Sequence, residues 1–97
     1  MSLFKIAVSP GRILREEYLE PLGLSAGGLA RALDVPRTRI ERIVNEQTAV
    51  SVDTALRLAA YFRTTPQFWL NLQNNYDLAR AAPARGIAPH PAVSGAA

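Results

Sequence analysis

Between residues 11 and 81 apolar side chains recur three and four positions apart, and no segment sustains strand-like alternation, so the pattern predicts an all-α chain of five helices. A first helix over 11–19 puts Ile13, Leu14 and Tyr18 on one stripe. It is expected to stop before Pro21, because a residue preceding proline is pushed out of the helical region. Pro21, Leu22 and Gly23 then lead to a second helix capped by Ser25, with Leu29, Ala30 and Leu33 facing inward despite the propensity cost of Gly27 and Gly28. Asp34, Val35 and Pro36 read as a tight turn, since aspartate tolerates a left-handed backbone. A third helix from 36 or 37 to 45 buries Ile40, Ile43 and Val44, its proline standing where a missing N–H costs nothing. Ser51 caps a fourth helix whose inner face is Ala55, Leu56, Leu58, Ala59 and Phe62. Thr65 followed by Pro66 marks the start of the fifth, which carries Phe68, Trp69, Leu72, Tyr76 and Leu78.

The two ends lack this periodicity. Residues 1–10 form an N-terminal arm in which Leu3, Phe4, Ile6 and Val8 suit an extended segment lying on the body or on a partner. Residues 82–97, APARGIAPHPAVSGAA, are rich in Ala, Pro and Gly and read as a disordered tail. What remains, residues 11–81, is one domain, as a chain of 97 residues leads one to expect.

Composition narrows the chemistry. Lys and Arg number 11 against 8 Asp and Glu, for a net charge of +3 and a pI near 10.0. The basic set is all arginine apart from Lys5, and a guanidinium bonds bidentately to phosphate or guanine where an ammonium cannot. That balance suits a polyanionic partner. Cysteine is absent, which removes disulfides, thiolate metal sites and a thiol nucleophile. His90, the one histidine, stands between two prolines in the predicted tail and makes a poor general base or metal ligand. Glu16, Glu17 and Glu20 cluster on the first helix, where acidic groups near the start meet the helix dipole and a solvated face explains them. No enzyme activity, metal or cofactor is expected. The opening MSLFKIAVSPGR lacks a signal-peptide pattern, and no apolar run reaches the eighteen or so residues that span a bilayer, so a soluble cytoplasmic protein is expected.

Segment 26–44 carries the functional signal. A helix-turn-helix needs two helices near a right angle, with a small residue at their closest approach, a tight turn and apolar clamps on the second helix. Ala30, Asp34, Ile40 and Ile43 have that spacing. Once Ile40 and Ile43 are buried, Arg37, Thr38, Glu41 and Arg42 must face outward. Arginine forks to guanine O6 and N7, and a threonine methyl meets that of thymine. The expected activity is therefore sequence-specific binding of double-stranded DNA through Arg37, Thr38 and Arg42.

The helix order, the turn LDVPRTRI and the loop VNEQTAVS resemble the lambda-repressor-like (Cro/CI, or XRE) domain. PGRILREEYLEPLGLS, SVDTALRLAAYF and TTPQFWLNLQNNYDLARA together resemble the HigA-type antitoxins of toxin–antitoxin systems, over residues 9–81. The resemblance implies base contacts from Arg37, Thr38 and Arg42, with Arg39 reaching a base or a phosphate. It implies phosphate contacts from Ser25, Asn45, Thr48 and Ser51. Phe68, Trp69, Leu72 and Tyr76 of the last helix suit the domain's own core as readily as a partner surface, and the resemblance implies a homodimer through them, bound to a palindromic operator, and a toxin partner of the RelE-like ribonuclease group. A stand-alone XRE-type regulator without a toxin is the alternative. One departure is Ala26, where many relatives carry a glutamine that reaches a phosphate.

Overall fold

The computed structural model describes residues 7–93, and Leu3, Phe4 and Ile6 of the arm lie outside them. Five helices follow in order: α1 over 10–22, α2 (Ala26–Leu33), α3 (Arg37–Val44), α4 (Val52–Phe62) and α5 (Pro66–Arg80). No strand occurs among the described residues.

α1 begins earlier and ends later than its sequence pattern suggests. Ser9 caps it, accepting a hydrogen bond from the Arg12 N–H at 3.2 Å, with Pro10 in the first turn. The helix does not stop ahead of Pro21 but continues through it to Leu22. The reason lies in the six residues Leu14–Leu19, which are wound as a π-helix. An α turn there would drive the proline ring into the carbonyl four residues back, and a widened turn relieves that clash. Gly23 then takes a left-handed conformation (φ 61°), and Leu24 N–H closes the end on the Leu19 carbonyl at 2.9 Å.

The remaining boundaries follow their local signals. Ser25, Ser51 and Thr65 each accept a hydrogen bond from the backbone N–H three residues on. Asp34 ends α2 with φ 56°, and Pro36 stands just before the first turn of α3 rather than within it. Leu14, Leu29, Leu33, Ile40, Ile43, Val44, Ala55 and Leu58 form the core around which the helices pack.

Two parts of the expected inner faces are corrected. Leu56 is exposed, because Ala55, Leu58 and Ala59 already fill the buried stripe of α4 and Leu56 lies about 100° around the helix from Ala55. Leu78 is also exposed, beyond the reach of the core near the end of α5. Residues 81–93 are exposed throughout and belong to no helix.

Trp69 requires a further correction. Assigned from the resemblance to a dimer surface, it is fully buried. Its ring lies 5.3 Å from Tyr18 and 6.5 Å from Phe62, and its Nε1–H donates to Thr64 Oγ1 at 2.8 Å. A side chain enclosed by its own domain, its polar atom satisfied, belongs to the core.

Candidate nucleic-acid interface

α3 owes its orientation to three buried side chains. Ile40, Ile43 and Val44 point into the core, which leaves Arg37, Thr38 and Arg42 exposed on the opposite side, with Arg39 and Glu41 half-buried along its edges. Ala30 is buried, and its carbonyl accepts the Val35 N–H at 3.0 Å, which draws the turn tightly over the end of α2.

Two arginines outside α3 pin the motif. Arg57 on α4 donates through Nη1 to the Leu33 carbonyl at 2.7 Å, satisfying a carbonyl left open at the end of α2. Arg15 on α1 donates to the Val44 carbonyl at the end of α3. Each guanidinium thus serves as a C-terminal cap supplied from another helix. Close backbone packing adds to this, because a Cβ on Gly11 would stand 1.8 Å from the Ile43 carbonyl oxygen.

The arginines of α3 differ in their surroundings. Arg37 Nε lies 3.0 Å from Glu41 Oε2, one turn along the same helix. Arg39 Nη1 lies 2.6 Å from Asp53 Oδ2 on α4, and Arg57 Nε meets the same oxygen at 3.0 Å. Hydrogen bonds from Arg39 and then Arg57 hold the Asp53 carboxyl below the usual carboxylate range. None of the ion pairs among the described residues involves Arg42.

The residues expected at phosphates surround this face in sequence. Ser25 at the start of α2 has its hydroxyl engaged in capping but remains exposed. Gly27, two residues on, is close enough to α3 that a Cβ there would lie 3.6 Å from the Arg37 side chain, which brings the starts of α2 and α3 together. Asn45, Thr48 and Ser51 are exposed in the segment joining α3 to α4. Glu46 gives that segment its bend by taking φ 60°, and Ser9 Oγ donates to Glu46 Oε1 at 2.6 Å. The partners of Arg15 and Arg57 are remote in the chain, as is the Glu46 partner of Ser9, but the Ser9–Pro10 cap is a local signal of the same kind as Thr65–Pro66. Ala26 is half-buried against the core.

Phe68 is exposed on α5, while Leu72 and Tyr76 are half-buried. Phe68 meets Trp69 edge to face at 5.0 Å. No helix among the described residues is long and apolar enough to cross a membrane.

The helix-turn-helix family pattern (HTH_3) matches residues 16–69. The chain is 57% identical over 75 residues to virulence-associated protein I of Dichelobacter nodosus, covering 77% of this chain and 69% of that protein. It is 50% identical over 70 residues to an HTH-type transcriptional regulator of Haemophilus influenzae, spanning 72% of this chain and a little under two thirds, 65%, of the regulator. Among solved structures, Pseudomonas aeruginosa antitoxin HigA with the higBA promoter is similar at a TM-score of 0.74 and 48% identity, covering 75% of this chain and 79% of that one.

Proposed function

The chain belongs to the helix-turn-helix (HTH_3) family and within it to the HigA antitoxin type, and on that premise we propose that it is an antitoxin that represses its own operon. In this reading it binds a palindromic operator as a dimer and neutralises a RelE-like ribonuclease toxin. The observation that carries the DNA-binding part is the outward face of α3, where Arg37, Thr38 and Arg42 stand exposed on a helix whose rotation is set by Ile40, Ile43 and Val44.

Arg37 and Arg42 read guanines by bidentate donation, and Thr38 meets a thymine methyl. Arg39 stands at the margin of this face, where it meets a phosphate or a base only by leaving the Asp53 carboxylate. Ser25, Asn45, Thr48 and Ser51 hold the backbone and set register without carrying sequence information. The dimer forms through Phe68, Leu72 and Tyr76 on α5, and two-fold symmetry then presents two recognition helices to successive major grooves. The Pseudomonas aeruginosa HigA, solved with its promoter, supports this reading. The regulator of Haemophilus influenzae supports the alternative of a transcriptional regulator without a toxin. Sequencing beside the gene separates the two: a short open reading frame for a basic protein is expected for the antitoxin, and its absence would favour the regulator.

The test is equilibrium titration of wild type, Arg37→Ala, Arg42→Ala and Thr48→Ala on DNA from upstream of the gene and on a random-sequence duplex. Each arginine variant is expected to lose about 1–3 kcal/mol, roughly 5- to 150-fold, on the upstream site and much less on random DNA. Thr48→Ala weakens both duplexes alike. Equal losses on the two duplexes for Arg42→Ala would remove it as a base reader.

A further inference from the structure

Asp53 links the recognition helix to the rest of the motif. It occupies the first turn of α4, and its Oδ2 receives Arg39 Nη1 from α3 at 2.6 Å and Arg57 Nε at 3.0 Å. Arg57 in turn donates to the Leu33 carbonyl at 2.7 Å. One carboxylate therefore joins an arginine of the reading helix to the arginine that closes the turn before it. Arg39 is only half-exposed and turned towards α4, whereas Arg42 is exposed and joined to no carboxylate among the described residues, and Arg37, though paired with Glu41 on its own helix, keeps 73% of its side chain exposed against 39% for Arg39.

We infer that Asp53 is a positioning residue for DNA specificity: it holds Arg39 in a surface ion pair between α3 and α4, so that Arg39 lends little charge to indiscriminate phosphate binding and discrimination falls to Arg37, Thr38 and Arg42. The inference rests on the DNA-binding reading above. Non-specific affinity comes from cationic groups that displace counterions from phosphates, and each such contact adds about 0.9 to the slope of log affinity against log salt. An arginine already neutralised by a carboxylate at 2.6 Å must give up that partner before it contributes. The arrangement therefore lowers affinity for any duplex and costs less at an operator, where base contacts carry more of the binding.

Titrations of the full chain on a random-sequence duplex, and on a duplex selected by wild type from a random pool, test this between roughly 50 and 200 mM salt. Asp53→Asn is expected to steepen the salt dependence on random DNA by about 0.9 per bound protomer and to narrow the ratio between selected and random duplexes. Asp53→Glu, which keeps the ion pair, retains the wild-type slope. So does Glu20→Gln, which makes the same change in net charge at an exposed site on α1. The double variant Asp53→Asn/Arg39→Gln returns the slope to that of wild type, a coupling that loss of structure would not produce. An Asp53→Asn slope that matches wild type or Glu20→Gln overturns the inference, and so does an equal weakening on both duplexes. If wild type prefers no duplex over another, the DNA-binding reading itself falls and the inference goes with it.

Discussion

Trp69→Ala is expected to destabilise the domain by about 3–5 kcal/mol, a large share of the roughly 5–15 kcal/mol that holds a native fold. The ring is fully buried, flanked by Tyr18, Phe62 and Phe68, and its N–H is bonded to Thr64. Truncation removes the largest wholly enclosed side chain of the domain and leaves a cavity where α1, α4 and α5 meet. Urea denaturation followed by circular dichroism measures the loss, since the variant lacks the protein's one tryptophan as a fluorophore. Trp69→Phe, which keeps most of the volume, should fall between the two. A loss below about 1 kcal/mol for the alanine variant would mean that the aromatic cluster does not organise the fold.

Gly11→Ala should have the next largest effect, about 3 kcal/mol, at the upper end of what overpacking usually costs. The added methyl would stand 1.8 Å from the Ile43 carbonyl oxygen and 2.8 Å from its carbon. Both are backbone atoms, so no rotamer change relieves the overlap and the start of α1 must part from α3. For a domain of this size the melting temperature falls by roughly 12–24 °C. Ile43 also sets the rotation of α3, so operator affinity should fall further than the unfolded fraction alone explains. An unchanged melting temperature would contradict the close approach of the two helices. Gly23 offers a contrast, for nothing lies within 4 Å of a Cβ there and its φ of 61° is the whole reason for glycine.

The elements that sequence reveals here are those governed by neighbours in the chain. Ser25, Ser51 and Thr65 cap because a hydroxyl at the boundary reaches an N–H three residues on, and Asp34 turns because its short side chain tolerates positive φ. The stripe Leu29, Ala30, Leu33 followed by Ile40, Ile43, Val44 is buried as its spacing requires, and this alone directs Arg37, Thr38 and Arg42 outward. Pro21 misled the reading because the rule for a residue before proline assumes α winding, and the π turn alters the geometry that makes the clash. Leu56 and Trp69 show a different limit. Apolar spacing marks which half of a helix is favoured inside, but whether an aromatic faces its own core or a partner depends on what packs opposite, and Tyr18 and Phe62 are remote in sequence. The same holds for the polar framework, in which Ser9 meets Glu46, Arg15 meets Val44, Arg57 meets Leu33 and Arg39 meets Asp53. Those pairs have no periodic trace.

That the outward face of α3 reads base sequence is tested most directly by selection from a random DNA pool, carried out in parallel with wild type and Arg42→Ala. Wild type should enrich an inverted repeat whose half-site centres lie about one helical turn apart. Arg42→Ala should enrich the same repeat with one position in each half-site made degenerate. Wild-type pools that remain random, or an identical motif from both proteins, would contradict it.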